Sequence, residues 1–114
     1  TCALPICKLL EKVTNKKASN YIYRIVQEAI NNILKHSNAK NADIQLSEKD
    51  DKVFINISDD GIGFDFISRD NDTGAGLYNI KERTEILGGK IEIQSHAGEG
   101  VHLEIELPKM NLYD

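Results

Sequence analysis

Apolar and polar positions change period along this chain, and the changes divide it into helices and strands. Ile22, Ile25, Val26, Ala29, Ile30 and Ile33 recur at helical spacing, the stripe of a helix that lays one face on a core. Ser19 or Asn20 is the expected cap, and Lys35 or His36 the expected end. Upstream, Leu9, Leu10 and Val13 are packing candidates and Asn15-Lys16-Lys17 reads as a turn. Period two then takes over. Ala42, Ile44 and Leu46 alternate in one stretch and Val53, Ile55 and Ile57 in the next. The charged run Glu48 to Lys52 between them reads as a solvated hairpin connection. Helical spacing returns at Leu77, Ile80, Arg83, Thr84 and Leu87, closed by Gly88-Gly89 as a C-terminal signal. Alternation resumes at Ile91 and Ile93, then at Val101, Leu103, Ile105 and Leu107. Gly98-Glu99-Gly100 reads as the tight turn between these last strands, and Pro108 as their stop.

Composition narrows the class. The 114 residues suffice for one domain with a real core. A net charge of -4 and a pI near 5.3 argue against a nucleic-acid or anionic-membrane surface. No apolar run approaches the roughly 18 residues of a membrane span, and no signal peptide is visible. Cys2 and Cys7 lie close together, but His36, His96 and His102 are scattered, so no zinc-type ligand set forms. The opening Thr1 to Cys7 fits poorly with the patterned stretches after it. Residues 1–17 are expected to be a non-native or linker-like lead, and 109–114 a short tail.

Three places carry chemistry. The strand ending at Ser58 delivers Asp59 and Asp60 and then Gly61-Ile62-Gly63 to a sheet edge. Glycines there let the backbone take positive φ or approach a ligand closely, and Asp59 is placed to accept a hydrogen bond from an amine. This is not a dinucleotide fingerprint, which needs a helix opening directly on its glycines. Here a polar loop, Phe64 to Thr73, intervenes. Gly74-Ala75-Gly76 precedes the second helix, where free N–H groups and the helix dipole suit a phosphate. On the first helix, Glu28, Asn32 and Lys35 share one narrow sector at i, i+4 and i+7. Such a line suits Mg²⁺ and a phosphate, since Asn offers an oxygen and Lys a charge. Taken alone, it also describes a solvated face with a Glu–Lys pair. Glu82 and Arg83 read as surface pairs.

Together these stretches resemble the ATP-binding catalytic domain of sensor histidine kinases, in the GHKL group with type II topoisomerase, Hsp90-like and MutL-like ATPases. Arg24 to His36 resembles the N box, and Asp59-Asp60-Gly61-Ile62-Gly63-Phe64 the G1 box. Gly74-Ala75-Gly76-Leu77 resembles the G2 box, and Gly98-Glu99-Gly100 the last glycine motif. The four occur in the family's order across residues 18–108, the expected catalytic domain. Gln27-Glu28-Ala29, the run Tyr78 to Arg83 and the short lid resemble the NarX/DesK-like subfamily.

The resemblance implies an α+β fold, a two-layer α/β sandwich whose mixed sheet is covered on one face by helices. It implies ATP and Mg²⁺ as cofactors. Asp59 would receive the adenine amino group, with Gly61 and Gly63 shaping the pocket. Asn32 would ligate Mg²⁺, Lys35 would touch a phosphate, and Gly74, Gly76 and Leu77 would serve lid closure. Glu28 stands where hydrolytic relatives activate water, and is either a base or part of the metal shell. Val101 departs from the usual Thr or Ser, which removes a hydroxyl contact. No histidine here matches the phosphoacceptor motif, so the implied partners are a separate dimerisation domain carrying that histidine and a response regulator. The domain itself is expected in the cytoplasm without membrane contact, its parent anchored in a membrane or free. The rival readings are an anti-sigma-factor-type serine kinase or free-standing ATPase of this fold, and a non-catalytic ATP-sensing or docking module.

Overall fold

The computed structural model describes residue 8 and residues 11–32, 40–61, 71–96 and 100–113, with backbone alone at 71–76 and 96. In chain order come α1 (Lys16–Asn32), β1 (Ala42–Lys49), β2 (Lys52–Asp59), α2 (Asn71–Ile86), β3 (Lys90–His96) and β4 (Gly100–Pro108). A short 3-10 turn, Lys109–Asn111, comes last.

The strands form one sheet in the order β1-β2-β4-β3. All three described pairings are antiparallel, where a mixed sheet was expected. The reason lies in the connections. The turn at Asp50-Asp51 folds β1 onto β2, with Asp50 left-handed at φ 58°. After α2, β3 takes the far edge and β4 returns between it and β2, so neighbours always run opposite ways. The register pairs Ile44 with Ile57, Ile57 with Leu103 and Leu103 with Ile93. One face of the sheet is therefore apolar across all four strands.

The two helices cover that face and pack on each other. Ile22, Ile25, Ile55, Ile57, Ile80, Ile105 and Leu107 are completely buried between the layers, each worth about 1.5–3 kcal/mol of apolar burial. Ile30, expected in the stripe, is instead 36% exposed. It sits one residue round from Ala29 at the flank of the contact face. Ile33 lies outside the described residues.

Both helix starts differ from the expectation. α1 begins at Lys16, because Asn15 is the cap: its side-chain oxygen accepts the Ala18 N–H at 3.1 Å. Ser19 and Asn20 are inside the helix. α2 begins at Asn71, so Gly74 and Gly76 lie in its first turns rather than ahead of it. Residues 64–70 of the expected loop lie outside the described residues.

The α2 end obeys the glycine signal. Gly88 takes φ 77° and donates to the Glu85 carbonyl, while Gly89 donates to that of Thr84. These are the paired bonds of a Schellman cap. A Cβ on Gly89 would overlap the Glu106 carbonyl oxygen and come within 2.7 Å of Leu107 Cδ2, so only glycine lets the chain enter β3 this close to β4. The flanks of the domain also pack. Val13 is 8% exposed and Leu112 is fully buried in the same core. The Asn15 N–H donates to the Leu112 carbonyl, and Asn111 Nδ2 to that of Leu87.

Candidate functional site

Direction decides what meets at each end of the sheet. α1 starts beside Leu112, next to the Pro108 end of β4. Its 17 residues span about 25 Å, close to the ~27 Å of an eight-residue strand. Its last residue, Asn32, is therefore carried to the opposite end, where β2 finishes at Asp59 and β4 begins at Gly100. α2 runs the other way, so its glycine-bearing first turns belong to the same end as Asp59.

The two adjacent carboxylates there do different work. Asp60 clamps the chain entering β1. Its Oδ1 accepts the Lys40 and Asn41 N–H groups at 2.9 Å each, and its Oδ2 accepts Asn41 Nδ2. These hydrogen bonds, the Asn41 backbone bond first, hold its pKa below the ordinary 3.8. Asp59 keeps the parity of Val53, Ile55 and Ile57, which points toward the helices. Its Oδ1 accepts the Gly61 N–H at 2.8 Å, a local turn that orients the carboxylate. Among the described residues its Oδ2 has no protein donor. Gly61 is buried beneath it.

Gly100 was expected as a hairpin residue and, by resemblance, as part of the last glycine motif. It opens β4 at φ 86°, and a Cβ there would overlap the Asp59 carbonyl oxygen. Gly100 is thus part of the wall that holds Asp59. The signal was a glycine at the head of an alternating strand, and only the β2–β4 register shows what it packs on. Residues 98 and 99 lie outside the described residues. A cleft of ≈ 280 Å³ opens at this edge, lined by Ser58, Asp59, Gln94, Ser95, Gly100, Val101 and His102. Gln94 and His102, paired with each other and in line with Ser58, carried no motif; their parity is opposite to that of Asp59, so they line the sheet face turned away from the helices.

On α1, Glu28 and Asn32 are both half-buried, one turn apart. The Asn32 Nδ2 is buried with no hydrogen-bond partner among the described residues, which costs about 1–3 kcal/mol if nothing binds it. Lys35, Gly63 and Phe64 lie outside the described residues, as do His36, Cys2 and Cys7. Leu77 packs half-buried on the core. Glu82 and Arg83 make no ion pair among the described residues, whose ion pairs are Lys52–Glu106 and Lys109–Glu48. No helix among them is long and apolar enough to cross a membrane.

This end of a helix-covered antiparallel sheet, with an oriented Asp, a buried Asn amide and close-packed glycines, is that of a known ATPase fold. The family model described as histidine kinase-, DNA gyrase B-, and HSP90-like ATPase matches residues 17–111, and the chain belongs to that family. Among relatives it is 35% identical over 101 residues to the sensor protein VraS of Staphylococcus aureus, strain COL. That alignment covers 87% of this chain and 29% of the relative, so the chain spans under a third of VraS. The same holds for VraS of strain MRSA252. Among solved structures, full-length ShkA in complex with AMPPNP shares the fold at a TM-score of 0.69 and 18% identity, covering 94% of this chain and 30% of ShkA. The histidine kinase AdeS of Acinetobacter baumannii does so at 0.66 and 20%, covering 80% and 47%.

Proposed function

We propose that this chain is the ATP-binding catalytic domain of a two-component sensor histidine kinase, of NarX/DesK-like type, and that it presents Mg·ATP to a histidine carried on a separate dimerisation domain. The observation that carries the reading is the buried amide of Asn32, unpartnered among the described residues, at the same end of the fold as the oriented Asp59. An amide nitrogen and oxygen exchange places by a half-turn, which would put an oxygen in the buried position. Oxygen is the donor Mg²⁺ takes, and the ion keeps waters and phosphate oxygens as its remaining ligands. Among the described residues no three His, Cys, Asp or Glu side chains gather into a metal cluster. An ion here would therefore rest on Asn32 with few other protein ligands. The residues fit the group.

When bound, Mg·ATP supplies the γ-phosphoryl group for transfer. Asp59 accepts the adenine amino hydrogen bond through the oxygen not held by Gly61, which orients the base. Gly61 and Gly63 keep the backbone low against the ring. Lys35 neutralises phosphate charge, and Gly74, Gly76 and Leu77 bring the start of α2 toward the phosphates, where its N–H groups favour anions. An imidazole acceptor needs no activated water, so Glu28 is assigned to the ion's water shell rather than to a base. Catalysis then rests on positioning and charge neutralisation. The downstream partner is a response regulator, and the domain works in the cytoplasm whether or not its parent is membrane-anchored.

The test is an ATP titration of this chain with and without Mg²⁺. The wild type binds. Asp59→Asn loses about 100-fold in affinity, as expected when a hydrogen bond to a charged group is lost. Asn32→Ala loses the Mg²⁺ dependence, and the chain does not phosphorylate itself. No binding at millimolar ATP sinks the reading.

A further inference from the structure

A second polar feature lies away from this site. On α1, Lys17, Asn20, Tyr21 and Arg24 stand at i, i+3, i+4 and i+7 and share one face. With Arg83 from the last turn of α2 they line a groove of ≈ 540 Å³. None of the five is acidic, although the chain has 18 Asp and Glu against 14 Lys and Arg. Lys17 Nζ stands 5.9 Å from the centre of the Tyr21 ring, which holds the ammonium along the groove. Neither Arg24 nor Arg83 makes an ion pair among the described residues, and Arg83 is half-buried. The C-terminal end of α2 favours a cation at Arg83 and the Tyr21 ring one at Lys17, while Arg24 has no ion-pair partner among the described residues.

The groove begins at the middle of α1 and runs away from the nucleotide end. At about 1.5 Å per residue, Arg24 stands roughly 12 Å and Lys17 roughly 22 Å from Asn32 along α1. The Lys17–Arg24 stripe is itself about 10 Å long, too extended for one compact phosphate to touch throughout. The Tyr21 ring adds an apolar surface that a free anion does not use.

We propose that this groove docks an acidic segment of a partner protein, whose carboxylates, spread over about two helical turns, meet Lys17, Arg24 and Arg83 while an apolar side chain covers Tyr21. The test measures fluorescence anisotropy of a labelled short helical peptide with Glu at successive turns, titrated with this chain. A Gln version of the peptide and inorganic phosphate serve as competitors. The Glu peptide binds, weakens as salt rises, and loses about tenfold or more in affinity to Arg24→Gln/Arg83→Gln, while the variant's thermal melting stays near wild type. Asn32→Ala leaves peptide binding unchanged, whatever becomes of ATP binding. Equal binding by the Gln peptide, or indifference to the two arginines, overturns the proposal. So does loss of binding in Asn32→Ala, which places the peptide in the nucleotide site. Phosphate displacing the peptide at equal concentration overturns it in favour of a small-anion site.

Discussion

At the end of the sheet where Lys52 faces Pro108, polar groups turned inward find partners within the chain. Gly88 and Gly89 close α2, Asn111 Nδ2 meets the Leu87 carbonyl, and Thr84 Oγ1 donates to the Ile80 carbonyl at 2.8 Å. At the end where Asp59 faces Val101, Asn32 keeps a buried amide nitrogen without a partner among the described residues, and Asp59 is held among them through one oxygen. The same helices and strands run through both ends, so the difference is not one of fold quality. A buried donor without an acceptor is costly, and a ligand that engages it gains what the fold gives up. The closed end stabilises the domain; the open end is where binding has something to add.

Substitutions should therefore act with opposite sign at the two ends. The largest effect belongs to Gly89→Val. Its side chain would overlap the Glu106 carbonyl and crowd Leu107, and a loss of about 3 kcal/mol is expected in chemical denaturation. A loss within experimental error would show that β3 can move away from β4. Asn32→Leu reverses the sign. Removing the unpartnered amide should raise the stability of the nucleotide-free chain by about 1 kcal/mol while abolishing Mg²⁺-dependent ATP binding. A destabilised variant would mean that the amide is satisfied in solution and that the open end is an ordinary core edge.

Asn15→Ala tests the closed end more gently. Without the bond to the Ala18 N–H, the melt should report a loss of about 1 kcal/mol, with ATP affinity unchanged. Acid gives the smallest effect. Asp60 titrates below 3.8 in the folded chain, so its clamp on Lys40 and Asn41 is fully present above that value. It weakens as pH falls through the depressed one. Asp60→Asn should flatten the acid limb of a stability-versus-pH curve; an unaltered limb would show that Asp60 contributes nothing there.

Much of this architecture was legible in the chain. Period-two runs at Ile44–Leu46, Val53–Ile57 and Leu103–Leu107 marked strands, because one sheet face is buried and the other is not. Gly88-Gly89 marked the end of α2, because a left-handed residue there favours glycine. The start of α1 was not legible. Asn15, Ser19 and Asn20 are all competent caps, and local sequence does not choose among them. Tertiary contact does: Asn15 is tied to Leu112, and Ala18 is buried behind it. Asp59 could be picked out by its glycines, whereas the role of Gly100 could not. It depends on β4 returning beside β2, a pairing between residues about 40 positions apart.

By itself the sequence determined the element types, the apolar face of each, and the residue kinds suited to adenine, metal and phosphate. Those come from periodicity and side-chain chemistry, which act over a few residues. Only the tertiary structure decided that both helices run the length of the sheet in opposite directions. That arrangement brings Asn32, Asp59, Gly100 and the start of α2 to one end, and sets Lys17 and Arg24 of the first half of α1 beside Arg83 of the last turn of α2. Strand order and helix direction depend on how the apolar faces bury one another, a property of the packed chain and not of any single segment.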